Sequence, residues 1–205
     1  HLFSNGNTLW ASTSAGVYKS TNGGTTFISA STNIPFNASI TSLAAQGDTA
    51  YCGTSNGAYF TTNGGLLWNP ITISGLGNPI YVYSWQIIGS TVYAGLSTYS
   101  IHSSPLGQNN WSIFGSGFYA YSLPWMMTFD GASLYAATTE GIYSCPLSGG
   151  NWVSKDGNIT RARTTIGWAD DNLVLAGSGF YSGLKRTSNG GVTWTNTSII
   201  NQQGL

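Results

Sequence analysis

The stretch Ala50-Tyr-Cys-Gly-Thr-Ser-Asn-Gly-Ala-Tyr-Phe-Thr-Thr-Asn-Gly-Gly-Leu-Leu-Trp68 decides the fold, because the chain carries five versions of it. Leu9 to Phe27 aligns with it. So do Val92-Tyr-Ala-Gly running to Trp111, Leu134-Tyr-Ala-Ala running to Trp152, and Val174-Leu-Ala-Gly running to Trp194. The closing aromatics at 27, 68, 111, 152 and 194 are 41, 43, 41 and 42 residues apart. A fixed period of this length means stacked supersecondary units.

One period reads as four strands. Ser39 to Ala45 is apolar and strand-like, and Gln46-Gly-Asp48 turns the chain. Ala50 to Thr54, Ala58 to Thr61 and Leu67 to Ser74 follow, separated by Ser55-Asn-Gly57 and Asn63-Gly-Gly65. Asn-Gly and Gly-Gly suit the positive φ angles of tight hairpins, and no helical periodicity interrupts them. A lone sheet with two apolar faces is unstable, but stacked neighbours cover it. The pattern predicts an all-β chain, a five-bladed β-propeller of four-stranded antiparallel blades. A single domain over 1–205 would hold blades at roughly 1–38, 39–80, 81–121, 122–162 and 163–205. Five periods of 41 residues fill 205 residues. The layout lacks a shared blade, so a piece of a larger ring stays open as the alternative.

Ser20-Thr-Asn-Gly-Gly-Thr-Thr-Phe27, Thr61-Thr-Asn-Gly-Gly-Leu-Leu-Trp68 and Thr187-Ser-Asn-Gly-Gly-Val-Thr-Trp194 resemble the Asp-box (bacterial neuraminidase, BNR) repeat, Ser/Thr-x-Asp-x-Gly-x-Thr-Trp. Asn22, Asn63 and Asn189 replace the usual Asp. Pro105-Leu-Gly-Gln-Asn-Asn-Trp111 and Pro146-Leu-Ser-Gly-Gly-Asn-Trp152 are degenerate copies. The resemblance implies a structural turn at the outer edge of each blade, with the side-chain oxygen accepting local N–H groups and the Trp packing between blades. The family includes sialidases and other glycosidases, so it also raises catalysis.

Composition narrows the function. Charged residues make up 6% of the chain against about a quarter in ordinary proteins, while 14% aromatic and 41% hydrophobic content oppose disorder. Net charge is zero, so no basic stripe for nucleic acid is expected. No apolar run approaches 18 residues, so no membrane insertion is expected. The first residue is His1, which suggests processing, excision or a missing start. Sequons at Asn37, Asn110, Asn158 and Asn196 and a polar-neutral surface suggest an extracellular or cell-surface setting. Cys52 and Cys145 read as two small buried thiols too far apart to bridge, and no metal site or cofactor is implied.

Catalysis finds little support. Sialidase chemistry asks for three converging arginines, and the chain has three in all: Arg161, Arg163 and Arg186, two of them in one short segment. A glycosidase needs two facing carboxylates. Asp48, Asp130, Asp170, Asp171 and Asp156 all fall in turns, where Asp is expected. Glu140 alone lacks a structural job, and His102 has no motif around it. A non-enzyme is the expectation.

Propeller order places the B–C turns and D–A connections on one variable face. That face is aromatic: Tyr83, Trp85, Tyr99, Tyr119, Tyr121, Trp125 and Tyr181, with Glu140, Arg161 and Arg163, form the candidate ligand set. Rings can cover pyranose C–H faces while amides and hydroxyls take the OH groups. Tyr83, Trp85 and Trp125 could instead pack between blades, and the two arginines could bond backbone carbonyls. The sequence therefore suggests a non-catalytic binding module for a glycan or a protein partner. The alternatives are a structural or adhesive surface or filament subunit that self-associates and, behind it, an Asp-box glycosidase.

Overall fold

A computed structural model describes residues 2–5, 7–118, 120–157, 164–169, 173–178 and 184–197. Among the described residues twenty strands form five sheets, and each sheet is a four-stranded antiparallel meander paired in chain order. Sheet 1 is β1 (Leu2–Asn5), β2 (Thr8–Thr13), β3 (Gly16–Ser20) and β4 (Ile28–Ser29). Sheet 2 is β5 (Ile40–Gln46), β6 (Thr49–Thr54), β7 (Gly57–Thr61) and β8 (Asn69–Pro70). Sheet 3 is β9 (Val82–Ile88), β10 (Thr91–Leu96), β11 (Ser100–Pro105) and β12 (Ser112–Ile113). Sheet 4 is β13 (Pro124–Phe129), β14 (Ser133–Thr138), β15 (Gly141–Pro146) and β16 (Val153–Ser154). Sheet 5 is β17 (Thr164–Ala169), β18 (Leu173–Ser178), β19 (Leu184–Thr187) and β20 (Thr195–Asn196). We call the four strands of each sheet A to D. Among the described residues no helix is long and apolar enough to cross a membrane.

The chain packs as two units, His1–Phe114 and Gly115–Leu205. In the first unit the A strands β1, β5 and β9 lie in succession; in the second, β13 lies against β17. Apolar side chains fill the spaces between neighbouring sheets. Trp10, Val17, Ala45, Cys52 and Trp68 pack between sheets 1 and 2, and Tyr51, Ile71, Ile80, Trp85 and Leu96 between sheets 2 and 3. Tyr135, Ile142, Ile166 and Trp194 pack between sheets 4 and 5. Cys52 and Cys145 are both buried and free.

The D strands are shorter than the sequence predicts, two residues each instead of Leu67 to Ser74. One more ladder bond follows, from Ile71 N–H to the Ala58 carbonyl at 2.8 Å. Ile71 and Ile73 then sink into the core and draw the chain off the sheet edge.

The Asn-Gly-Gly turns share one hydrogen-bond set. Asn22 Oδ1 accepts the Ser20 hydroxyl at 2.9 Å and Thr26 N–H at 3.0 Å, while Ser20 Oγ accepts Gly24 N–H at 2.9 Å. Thr61, Asn63, Gly65 and Leu67 repeat it, and so do Thr187, Asn189, Gly191 and Thr193. An amide oxygen therefore does what a carboxylate could do here. The second glycine is needed twice over. Gly65 has φ +84°, and a Cβ on it would lie 2.6 Å from Ala30 Cβ. That close approach lets Trp68 pack against sheet 1, where its indole N–H donates to the Ala30 carbonyl at 2.7 Å. Trp194 repeats this bond onto the Lys155 carbonyl at 2.8 Å.

The degenerate turns keep the position but change the chemistry. In sheet 3, Ser104 Oγ still accepts Asn110 N–H at 3.1 Å. In sheet 4 the equivalent of Ser20 is Cys145, whose thiol makes a 3.7 Å contact with the Gly150 carbonyl. With Leu147 at the position of Asn22 the turn closes on itself, Gly149 N–H to the Pro146 carbonyl at 2.9 Å.

Candidate binding surface

At one end of sheets 1 to 4 the A–B and C–D turns are tied together. Gly23, Gly64, Leu106 and Leu147 donate N–H groups to the carbonyls of Asn7, Asp48, Ser90 and Ala132, at 2.8–3.0 Å. This end is repetitive. At the other end the B–C turn is tied to the start of strand A. Ser55 N–H donates to the Ser39 carbonyl at 2.9 Å, Ser97 to Tyr81 at 3.0 Å and Thr139 to Leu123 at 3.3 Å. Just beyond, strand A of sheets 2, 3 and 4 bulges by one residue, and the extra residues are Thr41, Tyr83 and Trp125. Bulges bend a strand and re-aim its side chains.

The candidates fall into two groups. Tyr83, Trp85 and Tyr99 belong to sheet 3 in the first unit; Tyr121, Trp125 and Glu140 belong to sheet 4 in the second. Tyr83 and Tyr99 share the B–C end of sheet 3. Tyr83 is half-buried, whereas Tyr99 is exposed and sits in the turn with φ +61°. Trp85 is a core residue: it is 8% exposed, with ring centroids 5.4 Å from Tyr51 and 5.9 Å from Trp111. In a regular strand Tyr83 and Trp85 would share a face, and the bulge at Tyr83 uncouples them.

Tyr121 and Glu140 share the B–C end of sheet 4. Tyr121 is 71% exposed with φ +72°, and its carbonyl accepts the Thr139 hydroxyl at 2.9 Å. Glu140 is half-buried and its N–H donates to Thr138 Oγ1 at 3.0 Å. Trp125 is half-buried. Tyr119, Arg161, Arg163 and Tyr181 lie outside the described residues.

Among the described residues the turn acids are engaged in structure, and Asp170 and Asp171 lie outside them. Asp48 pairs with Lys19 of sheet 1 at 2.6 Å. Asp130 accepts the N–H groups of Ala132 and Ser133, at 2.8 and 2.7 Å, and the Tyr135 hydroxyl at 2.9 Å. Burial alone would raise its pKa, but these hydrogen bonds outweigh burial and hold the carboxyl below the usual range. Burial and then the Asp130 partner push Tyr135 up to about 12. Asp156 accepts Ile142 N–H at 2.6 Å and the Ser154 hydroxyl at 2.9 Å. His102 is buried in a central strand, and burial lowers its pKa.

A groove of about 520 Å³ opens at the B–C end of sheet 2. Asn56 and Tyr59 come from the B–C turn and strand C, Thr72 from the end of strand D, and Asn78, Pro79 and Tyr81 from the D–A connection. Gly57, at φ +118°, admits the Pro79 ring, which would lie 3.5 Å from a Cβ there. Sequence reasoning passed over Asn56, Tyr59, Thr72 and Asn78. The available signal was the residue four places after each closing aromatic: Ser31, Thr72, Gly115, Asp156 and Ser198.

No family model and no curated protein matches the chain. Solved structures do. YCF48 bound to D1 peptide is 18% identical with a TM-score of 0.67, over 99% of this chain and 67% of that one. An ancestral GH74 enzyme is 21% identical with a TM-score of 0.68, over 96% of this chain and 33% of that one. The BT4673 extracellular domain from B. thetaiotaomicron is 17% identical with a TM-score of 0.70, over 91% of this chain and 26% of that one. All are β-propeller proteins, and together with the four-stranded antiparallel sheets the likeness shows propeller blades.

Proposed function

We propose that this chain is a non-catalytic binding module of an extracellular or cell-surface protein, taking a glycan or a protein partner at the B–C end. In this proposal the sheets are the blades of a five-bladed propeller, and the Asn-Gly-Gly turns are Asn forms of the Asp-box repeat. One observation carries the functional part. The B–C ends of sheets 2, 3 and 4 share one backbone lock but present different side chains, with Tyr81, Tyr99 and Tyr121 all exposed. A constant frame with variable exposed rings suits recognition. Asp48, Asp130 and Asp156 are committed to turns and an ion pair, which supports a non-catalytic role. The exposed sequon residues Asn37, Asn110 and Asn196 support the setting. YCF48 was solved with a D1 peptide, which supports a protein partner as one kind of ligand.

A glycan array with the wild type, then with Tyr121→Ala and Arg161→Ala, tests this. Binding lost in the variants is the expected result. Hydrolysis of a polysaccharide that Glu140→Gln abolishes would replace the proposal with a glycosidase.

A self-associating structural or adhesive subunit is favoured by one observation. Phe27 is 41% exposed where its counterparts Trp68, Trp152 and Trp194 are buried. With Ala11, Thr13 and Tyr18 it lines an open cavity of about 290 Å³. Sedimentation velocity on wild type and Phe27→Ser decides: an assembly that the substitution dissolves supports this second role.

A further inference from the structure

The repeats contain a donor that sheets 1 and 4 cap with a side chain and that sheet 2 leaves open beside a groove. In sheets 1, 2 and 4 the second residue of strand C turns its N–H and C=O outward, toward strand D. In sheet 1 this residue is Val17. Its carbonyl accepts Ala30 N–H at 2.9 Å, and its N–H donates to Ser31 Oγ at 2.7 Å. In sheet 4 it is Ile142, whose carbonyl accepts Lys155 N–H at 2.7 Å and whose N–H donates to Asp156 Oδ1 at 2.6 Å. Ser31 and Asp156 each stand four residues after the closing aromatic of their repeat.

In sheet 2 the same residue is Ala58. Its carbonyl accepts Ile71 N–H at 2.8 Å, so its N–H also points outward. The capping position is held by Thr72, but Thr72 is turned to the next sheet. Asn109 Nδ2 donates to Thr72 Oγ1 at 3.3 Å, and Thr72 N–H donates to Asn109 Oδ1 at 3.4 Å. Among the described residues no acceptor reaches the Ala58 N–H, although Ala58 is buried. A buried N–H without an acceptor is costly and rare. This one lies on the wall of the 520 Å³ groove.

We infer that the sheet 2 groove is a subsite for one neutral pyranose ring, with a sugar hydroxyl oxygen taking the Ala58 N–H as Ser31 Oγ takes that of Val17. Three features set the ligand class. The occupant must bring an oxygen acceptor. The walls carry the Tyr59 and Tyr81 rings and Pro79, which suit C–H faces. Asn56 and Asn78 offer amides for further hydroxyls, and no Lys, Arg, Asp or Glu lines the groove, so the ligand is uncharged.

This rests on the glycan form of the proposed function, and the test separates the two. The amide resonances of the ¹⁵N-labelled protein are followed while methyl β-glucopyranoside, methyl α-mannopyranoside, cellobiose and glucuronate are titrated. A saturable shift of the Ala58 amide with a neutral sugar, and none with glucuronate, is expected. Thr72→Asp installs the cap of sheet 4 and is expected to weaken binding at least about tenfold while leaving the melting temperature unchanged or raised. Tyr81→Ala, at an exposed position, is expected to weaken it by a similar factor without unfolding the chain. Sugar-induced shifts confined to the turns around Tyr99 and Tyr121 would overturn the groove and leave the module standing. Equal shifts with glucuronate would overturn the neutral class. No shift with any sugar, and a silent glycan array, would overturn both.

Discussion

The interface between sheets 1 and 2 and that between sheets 2 and 3 come from the same repeat and close differently. At the first, Trp68 is fully buried, its ring meets Trp10 edge-on at 6.2 Å, and its indole satisfies the Ala30 carbonyl. Asn33 Nδ2 and the Thr32 carbonyl then bond the Trp68 backbone, at 2.9 and 3.1 Å. At the second, the turn has lost its Asn-Gly-Gly. Trp111 is half-buried, and its indole donates to Asn109 Oδ1 at 3.0 Å rather than across to sheet 2. The intact turn seals an interface with a side chain; the degenerate one spends that side chain locally and leaves polar groups open beside it.

The largest test of this contrast exchanges the two tryptophans for alanine. Trp68→Ala removes a buried indole and strands the Ala30 carbonyl, so a loss of about 3–5 kcal/mol is expected in urea denaturation. Trp111→Ala should cost clearly less, because its ring is partly exposed and its N–H bond stays within its own turn. Equal losses would mean that the two interfaces do not differ in kind.

A backbone change sharpens the same point at smaller scale. Gly65→Ala puts a Cβ at φ +84° and 2.6 Å from Ala30 Cβ, so both strain and collision oppose it. We expect about 1–3 kcal/mol. Gly107, the nearest counterpart in sheet 3, has φ +77° but its closest neighbour, Thr62 Cγ2, would be 3.3 Å away. Gly107→Ala should therefore show the strain with less collision, and a melting series of the two variants measures the difference.

How far the sequence revealed this follows from where the deciding contact lies. The four-strand unit and the turn chemistry were legible because Asn22, Asn63 and Asn189 act within five residues of themselves. The bulges were not, since one extra residue at Thr41, Tyr83 and Trp125 leaves no mark on a spacing that itself varies from 41 to 43 residues. For that reason the sequence left Trp85 open between the ligand face and the core, where it lies. The short D strands were missed because Leu67 to Ser74 has strand-like composition, while burial of Ile71 and Ile73 ends the strand. Thr72 carries a hydroxyl like that of Ser31; what turns it away is Asn109, 37 residues later in the chain and in another sheet.

The acids of the A–B turns give a third contrast, with a pH signature. Asp48 reaches across the first interface to Lys19, whereas Asp130 serves its own turn and the Tyr135 hydroxyl. Tyr135 has a folded pKa of about 12, above its unfolded value of about 10. Its contribution is complete below pH 10 and disappears as pH rises from about 10 to about 12. Asp130, held below its ordinary value, contributes above that value and loses its contribution as pH falls toward its folded pKa. Stability measured from pH 8 to 12 should show an alkaline decline that Tyr135→Phe reduces and Asp48→Asn leaves in place.

The smallest effect tests the mechanism of the open donor without any ligand. Asn109 holds Thr72 through two long hydrogen bonds, at 3.3 and 3.4 Å, so little stability depends on it. Asn109→Ala should change stability by less than about 1 kcal/mol. It also releases the Thr72 hydroxyl at the position from which Ser31 and Asp156 cap their donors. The Ala58 amide should then exchange with solvent deuterium several-fold more slowly than in the wild type, while the Val17 amide is unchanged. If the Ala58 amide exchanges equally fast in both proteins, Asn109 is not what keeps that donor open, and the difference between the two interfaces must arise in the backbone of the D–A connection.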